Sequence, residues 1–335
     1  MPEALTAQNK AIRESLERVN LGTQQTALGL TMWPLLGPDL DGPDYGFLSE
    51  AISNQELEVR ELNNPTVNAV VIENRSERPV LGMHGQLLEG AKQNRSLNLT
   101  TMFAPHCETQ VHVACVEQGR WNTGRSFSSA KRIQSAAGRS EKLGDVLNNV
   151  RSTGDSRAQQ DRVWNHQNLK QRRLGIHSNT HDESEIMRLT LRDLSPTILE
   201  TLAAQEDQIG ALLIANNAWS IEIFDCPKAY SQYHEPLLES FLVEAAEAKA
   251  REITPPKIKP GDLIKHLLST QWQEISAPGA GVTLSACHST TKGCALVYED
   301  VCSAISISGV IAQINVDSHG NANDAPNKIL LEDTV

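Results

Sequence analysis

The chain of 335 residues is long enough for two compact units or one elaborated unit, since single domains typically contain roughly 100–200 residues. The formal net charge of −11 argues against a general nucleic-acid coat and a polybasic membrane binder, and an aromatic content of 4% argues against a base-stacking surface. No apolar run reaches the roughly 18 residues of a membrane span. The charged N-terminus lacks a signal-peptide pattern, so we expect a cytoplasmic protein without membrane contact.

The predicted elements begin with a helix over 3–20, where apolar residues recur at helical spacing. From 26 to 121 the pattern changes to short strands separated by Gly, Pro and Asn turns, with one short helix at 47–54. The predicted strands cover 26–33, 56–62, 67–73, 79–83, 86–89, 97–103 and 109–116. Many short strands at close spacing favour an antiparallel β-sandwich or a barrel.

Helical patterns replace the strands from 126 to 205, and a second β signal opens with a hairpin over 209–224. Asp225, two residues before Pro227, predicts a helix N-cap. Pro236 predicts a short turn of helix followed by a longer helix over 236–250. The remaining predicted elements are a helix over 260–272 and strands over 282–287, 293–298 and 301–307.

These patterns predict an α+β protein with a sandwich-like or barrel-like N-terminal part, a helical middle segment and a smaller α+β C-terminal part. We divide the chain into five segments: an N-terminal helical extension (1–22), a β-rich domain (23–125), a basic helical segment (126–205), an α+β part (206–316) and a mobile tail (317–335).

Charge is concentrated in one stretch of this acidic chain. Residues 120–173 contain twelve basic and four acidic side chains, a local net charge of +8. Such a stretch suits an anionic ligand or an acidic partner surface. The alternative is a set of helices whose basic residues pair with acidic neighbours inside the same chain.

Three polar blocks each follow an apolar strand of the β-rich part, at 73–79, 89–95 and 115–121. Loops held by a rigid scaffold commonly carry binding and catalytic groups, so we expect the three blocks to meet along one edge of a sheet. Cys115 alternates in register with Val111 and Val113, which predicts a core thiol rather than a nucleophile.

The blocks contain the residue types of a nucleotide site. Glu89 and Glu117 are suited to general acid–base chemistry or to holding a divalent cation such as Mg²⁺. Gly90 and Gly119 allow backbone N–H groups to approach a phosphate. Groups for gripping phosphate, for orienting hydrogen bonds and for stacking are Lys92, Arg95, Arg120, Gln93, Asn94, Gln118 and Trp121. The alternative is a partly buried Glu–Arg and amide network that clamps the loops together.

The runs Glu73-Asn74-Arg75, Glu89-Gly90-Ala91-Lys92-Gln93-Asn94-Arg95 and Glu117-Gln118-Gly119-Arg120-Trp121 resemble the motifs of the prokaryotic ARPP domain family, over roughly residues 26 to 305. The family is named for its association with ADP-ribosylglycohydrolases and rhodanese-phosphatase-superfamily enzymes. The resemblance implies a role around ADP-ribose or NAD-derived nucleotides, in a prokaryotic conflict system such as antiviral defence. It also extends the predicted ligand-binding set to Glu73, Asn74 and Arg75.

Three hypotheses follow. The leading one is an enzyme or ligand-processing domain for a phosphate-bearing nucleotide, with Glu89 and Glu117 as its catalytic carboxylates. The second is a non-catalytic nucleotide sensor that controls a partner enzyme. The third is an interaction or scaffold protein that docks an acidic partner through the basic segment, and nucleic-acid binding is a minor interpretation.

Overall fold

The computed structural model describes residues 6–121, 126–194, 196–251, 259–286 and 292–310. The predicted tail at 317–335 lies outside these residues. The helices are α1 (Ala7–Glu17), α2 (Leu48–Ser53), α3 (Ala136–Thr153), α4 (Gln160–Leu174), α5 (Glu183–Leu191), α6 (Pro196–Thr201), α7 (Pro227–Ala250) and α8 (Pro260–Leu268).

Most of the strands are short, as the turn-rich sequence predicts. The first twelve are β1 (Asn20–Leu21), β2 (Gln25–Ala27), β3 (Leu30–Leu36), β4 (Gly46–Phe47), β5 (Leu57–Arg60), β6 (Ala69–Asn74), β7 (Val80–Gly82), β8 (Gln86–Glu89), β9 (Arg95–Leu97), β10 (Thr101–Phe103), β11 (Cys107–Cys115) and β12 (Ser128–Ile133). The others are β13 (Gln208–Ala215), β14 (Ala218–Phe224), β15 (Trp272–Ile275), β16 (Val282–Ala286), β17 (Lys292–Tyr298) and β18 (Val301–Val310).

Within the described residues, the largest sheet has nine antiparallel strands in the order β1-β3-β13-β14-β18-β17-β16-β15, with β2 paired to β3. The predicted hairpin is present as β13 and β14, joined at Asn216 and Asn217. This sheet combines strands from the predicted β-rich segment (23–125) and from the predicted C-terminal part (206–316).

A second, antiparallel sheet carries the polar blocks, with the order β12-β8-β9-β11-β6-β5. A small sheet of β10, β7 and β4 lies beside it and contains one parallel pair, β4 with β7. The predicted α+β class is therefore confirmed, with the second sheet inserted between β3 and β13 of the first.

Both faces of the nine-stranded sheet are covered. On one face α7 buries Tyr233 and Phe241 against Leu213 of β13. On the other face, Ile12 of α1 and Leu263 of α8 contribute to a separate apolar cluster. The first helix is thus part of the core, because its apolar stripe is buried from water only by packing on the sheet.

Two predictions in the C-terminal half were wrong. Helix α7 runs unbroken through Pro236, since core residues on both sides of the proline offset the lost backbone hydrogen bond. The N-cap of α7 is Cys226, whose Sγ accepts from the Ala229 amide. Asp225 is instead buried and accepts a 2.5 Å hydrogen bond from the Tyr45 hydroxyl.

None of the helices in the described part of the chain is both long and apolar enough to cross a membrane.

Candidate functional site

The second and third polar blocks meet at Asn94, in the connection between β8 and β9. The Asn94 backbone amide donates to Glu117 Oε2 at 3.0 Å, and its side-chain amide donates to Asp182 Oδ1 at 3.0 Å. Its side-chain oxygen accepts from the Gly90 amide at 2.8 Å. One asparagine therefore holds two carboxylates from distant parts of the chain and closes its own loop.

Glu117 and Arg120 form a fork-to-fork ion pair beside this loop. Arg120 Nε lies 2.7 Å from Glu117 Oε1, and Arg120 Nη2 lies 2.6 Å from Oε2. The same guanidinium donates to the carbonyl of Ala91 at 2.7 Å and to Asn94 Oδ1 at 3.1 Å. The pKa of Arg120 is raised, chiefly by its hydrogen bond to Glu117. This guanidinium binds protein groups, so gripping a phosphate would require breaking the pair.

The two glycines of these blocks serve close packing. Gly90 has a φ of 122°, and a Cβ at this position would lie 2.3 Å from the Ser126 carbonyl oxygen. A Cβ on Gly119 would lie 2.8 Å from Thr180 Cα, and the Gly119 amide donates to the Thr180 carbonyl at 2.9 Å. Both amides bind protein oxygens, which differs from the predicted approach to a ligand phosphate.

Arg95 lies underneath the loop and is completely buried. Its Nη1 donates to Gln93 Oε1 at 3.2 Å, and Glu61 Oε1 lies 3.7 Å from Nη2. Among the described residues, Arg95 Nε and Nη2 have no hydrogen-bond partner. Burial lowers its pKa. Gln93 is also buried and donates to the Glu117 carbonyl at 2.9 Å, so both residues support the loop from below.

The solvent-facing rim of the site consists of Lys92, Trp121 and Gln118. The Lys92 ammonium lies 5.1 Å from the centre of the Trp121 ring, a cation–π contact. Trp121 is 49% exposed, which leaves a large part of the ring open to a ligand. Gln118 is exposed, and Glu89 at the end of β8 is partly buried.

Asp182 is the functional candidate that the sequence reading missed. Burial raises its pKa to about 6, and the nearby carboxylates of Glu117 and Glu89 add to the rise, whereas the Asn94 hydrogen bond opposes it. A carboxyl group with a pKa near neutrality is suited to exchange protons with a substrate. Within the predicted basic helical segment (126–205) the sequence pattern pointed to no catalytic carboxylate, which concealed this role.

A local signal for the position of Asp182 does exist. The residue caps α5 by accepting from the amides of Ser184 at 3.2 Å and Glu185 at 3.3 Å. An Asp followed three residues later by a Glu is typical of a helix start. The cap fixes the carboxylate, but only the tertiary structure brings it to Asn94.

Asp182→Asn tests the raised pKa. The folded protein holds the Asp182 proton up to about pH 6, whereas an unfolded Asp releases it near 3.8. Its contribution to stability is therefore present at low pH and is lost as the pH rises from about 4 to about 7, by up to about 3 kcal/mol. Urea denaturation of both proteins across this range should show the fall in the wild type relative to Asp182→Asn. A difference in the free energy of unfolding between the two proteins that does not change with pH would contradict the raised pKa of Asp182.

The first block lies at the opposite end of the sheet, so the expectation that all three blocks meet was wrong. Asn74 pairs with Cys107 at the start of β11, whereas Arg95 pairs with Cys115 at its end. Nine residues of extended chain separate the two ends by about 26 Å. Neighbouring strands of an antiparallel sheet run in opposite directions, so their C-terminal ends lie at opposite ends of the sheet. The strand order that decides this did not follow from the sequence pattern.

The residues of the first block have local structural contacts. Asn74 is fully buried and donates to the carbonyls of Arg78 at 2.9 Å and Phe103 at 3.0 Å. Arg75 pairs with Glu58 and Glu73 on the half-exposed face of the sheet. These contacts stabilise a turn, and the ligand-binding role of Glu73, Asn74 and Arg75 stays a prediction.

In a comparison with protein-family models, residues 18–310 match the ARG and Rhodanese-Phosphatase-superfamily-associated Protein domain (ARPP-1). The chain belongs to this family. The name of the ARPP-1 domain associates it with the ADP-ribosylglycohydrolase and rhodanese-phosphatase superfamilies. Comparisons with curated proteins and with solved structures gave no match.

The basic stretch of this ARPP-1 domain is largely neutralised from within. The observed ion pairs are Arg120 with Glu117, Arg132 with Glu239, Arg139 with Glu222, Arg157 with Asp155, Arg162 with Glu141 and Asp145, Lys170 with Glu244 and Glu247, and Arg173 with Glu247. Arg125 lies outside the described residues. These pairs favour the internal-pairing interpretation over a docking surface for an acidic partner.

Several of these cations are deeply buried, which the sequence did not predict. Lys142 of the ARPP-1 domain is buried and donates to Ser96 Oγ and to the Leu97 carbonyl, each at 2.6 Å. Burial, assisted by the charge of Arg139, lowers its pKa well below the ordinary range. This lysine ties α3 to β9, next to the strand end that carries the site.

The described residues contain no group of three or more His, Cys, Asp or Glu side chains arranged to hold a metal ion. Glu117 Oε1 and Oε2 already accept from Arg120 and Oε2 also from Asn94, while Asp182 accepts from Asn94. The described carboxylates of this ARPP-1 domain therefore give the predicted divalent cation no geometric support. The thiol of Cys115 is buried with a raised pKa, caused by burial, which confirms the predicted core thiol.

Proposed function

We propose that this domain binds and processes a phosphate-bearing nucleotide of the ADP-ribose or NAD-derived class. The observation that carries the proposal is the position of Asp182. Its carboxyl group, with a pKa of about 6, lies in the same cluster as Glu89 and within one hydrogen bond of the loop that carries Lys92. The family's association with ADP-ribosylglycohydrolases supports this ligand class.

The rim supplies the groups for binding. Trp121 offers an aromatic face for a base or nicotinamide ring, and stacking of this kind contributes roughly 1–3 kcal/mol per base. Lys92, held over that ring, supplies a point charge for a phosphate. Arg120 and Arg95 act indirectly, because their guanidinium groups hold the loop in place.

The carboxylates supply the acid–base chemistry. Asp182, half-protonated near pH 6, accepts a proton from an attacking water or donates one to a leaving group, and Glu89 is the second carboxylate of the pair. Glu117, predicted as catalytic, has both oxygens bound by Arg120. We assign it a positioning role, in which it holds Asn94 and thereby Asp182.

The test is a thermal-shift panel with ADP-ribose, NAD, ATP, cyclic nucleotides and short RNA, each with and without Mg²⁺, with ligand consumption read by mass spectrometry. A nucleotide that stabilises the protein and is consumed supports the proposal. Asp182→Asn and Glu89→Gln should reduce turnover at least 100-fold while the protein stays folded, since general acid–base groups contribute about 10²–10⁴-fold.

Matched control variants are available on the same fold. Glu108→Gln removes a surface carboxylate at the far end of the second sheet, and Leu169→Ala shortens an exposed side chain like that of Trp121. Neither should change binding or turnover, whereas Lys92→Ala and Trp121→Ala should weaken binding at least 10-fold. Equal effects of Trp121→Ala and Leu169→Ala would contradict the assigned rim.

A nucleotide sensor controlling a partner enzyme is the second candidate. The closed set of hydrogen bonds around Glu117 and Arg120 favours it, because these groups are committed to structure. A sensor predicts stabilisation by RT ln(1 + [L]/Kd) with no product formed. Such a partner in a prokaryotic defence system would come from the superfamilies with which the domain is associated. Stabilisation without consumption in the same panel decides for the sensor.

A further inference from the structure

A concave region lies beside the β8–β12 pair, away from the Asn94 loop. It is a cleft of about 820 Å³ between α2, the first half of α7 and β12. Its volume falls in the range of roughly 300–1,000 Å³ that is typical of small-molecule sites. Gln86 of β8 lines it, three residues before Glu89, so the cleft begins about 10 Å along the strand from that carboxylate. None of the lining residues belongs to the site described above.

The floor of the cleft consists of core residues with aromatic and aliphatic side chains. Phe47, Ile133 and Tyr233 line it and are all buried in the main core. The Tyr233 hydroxyl donates to the Leu81 carbonyl at 3.0 Å, so this phenol is not available to a ligand. Specificity must therefore come from the polar walls.

The walls formed by the two helices present acceptors. Glu50 of α2 and Glu235 of α7 line the cleft, and neither forms an ion pair with any residue that the structure describes. Pro236 lies in the interior of α7 and has no N–H, so the Gln232 carbonyl lacks its usual helical donor. Gln232 and Pro236 both line the cleft. A proline inside a continuous helix thus leaves a free backbone acceptor on a residue that lines the same cleft as the two carboxylates.

The wall formed by β12 presents donors. Lys131 is exposed and has no ion-pair partner in the described part of the chain. Arg132 Nε lies 3.1 Å from Glu239 Oε2, so the third carboxylate of the cleft is already matched. A ligand that fits both walls carries a cation at one end and a hydrogen-bond acceptor at the other.

We propose that this cleft binds a small organic cation, with an ammonium or guanidinium group held by Glu50, Glu235 and the Gln232 carbonyl, and with a carbonyl-type acceptor on Lys131. Charge-assisted hydrogen bonds of this kind are short and strong, and the apolar floor offers a surface for the aliphatic part of the ligand. The cleft shares no lining residue with the proposed nucleotide site, so the two proposals are tested independently.

Isothermal titration of the full chain with N-acetyl-arginine amide and N-acetyl-citrulline amide tests the cation requirement. The two probes have nearly the same shape, but only the first carries a charge. The arginine probe should bind at least 10-fold more tightly than the citrulline probe, and N-acetyl-lysine amide distinguishes an ammonium from a guanidinium preference. Equal binding of the arginine and citrulline probes, or no binding of either cationic probe at millimolar concentration, would overturn the proposal.

Variants locate the binding to the cleft. Glu50→Gln and Glu235→Gln should each weaken binding of the preferred cationic probe at least 10-fold, whereas Glu108→Gln should leave it unchanged. Pro236→Ala restores a donor for the Gln232 carbonyl, so it should weaken binding several-fold while raising the melting temperature.

Asp182→Asn should not affect binding of the cationic probe, which separates this outcome from that of the nucleotide panel. Binding that survives both glutamine substitutions would assign the cation to another site.

Discussion

Replacing Arg139 with Met is expected to lower the free energy of unfolding by about 3–5 kcal/mol, which is the usual cost of leaving a buried charge without its partner. Arg139 Nη2 lies 2.6 Å from Glu222 Oε1, and the two side chains are 1% and 0% exposed. Burial already raises the pKa of Glu222 against the effect of Arg139. Methionine preserves most of the volume, so the loss measures the charge rather than a cavity.

The double variant Arg139→Met with Glu222→Leu provides the control for this result. Replacing both members of a buried pair by apolar residues removes the unpaired charge, so most of the lost stability should return. Arg60→Ala breaks the exposed pair with Glu108 and should cost less than about 1 kcal/mol. Urea denaturation followed by circular dichroism measures all three. A loss for Arg139→Met no larger than that for Arg60→Ala would show that the buried pair is not required.

The second large effect is expected at Arg120. Arg120→Ala leaves Glu117, which is 5% exposed, without a counter-ion and removes the donors that hold the carbonyls of Ala91 and Gly90. We expect a loss of about 3 kcal/mol and faster hydrogen exchange in the Gly90–Asn94 loop. Because Asn94 holds Asp182, nucleotide turnover should fall as well, although Arg120 does not contact the ligand.

Arg120→Lys separates charge from geometry. Lysine keeps the positive charge but lacks the planar fork that spans both oxygens of Glu117. It should recover part of the stability while the loop exchanges faster than in the wild type. Native-state hydrogen exchange read by mass spectrometry resolves the two effects. Full recovery of loop protection by lysine would mean that charge alone holds the site.

Hydropathy patterns predicted the helices and strands well where local sequence alone determines the structure. The hairpin over 209–224 has apolar strands and an Asn-Asn turn, so local sequence determined its structure. The continuous α7 was not predicted, because the penalty of Pro236 is local whereas its compensation by core packing is tertiary. The same distinction applies to Asp225, which a distant tyrosine holds.

The candidate site was predicted only in part, because local sequence indicates some of its contacts and tertiary packing determines the others. Glu117, Arg120 and Asn94 lie in two polar blocks whose strand ends converge, so sequence indicated that they belong together. Asp182 comes from a connector some 65 residues further along the chain, and no local pattern relates it to Glu117. Which carboxylate has an unusual pKa depends on burial, which the sequence does not encode locally.

The position of the second sheet inside the first has a consequence for how the chain folds during synthesis. Trp33 of β3 pairs with Leu212 of β13, so a loop of about 180 residues must close before the nine-stranded sheet can form. All strands of the second sheet have been made by residue 133, but β13 ends 82 residues later. At a translation rate of roughly 5–20 residues per second, β3 waits about 9–36 s for its partner, of which about 4–16 s follow the synthesis of the second sheet. Lower growth temperature or added chaperones should therefore increase the soluble yield more than any change at the site.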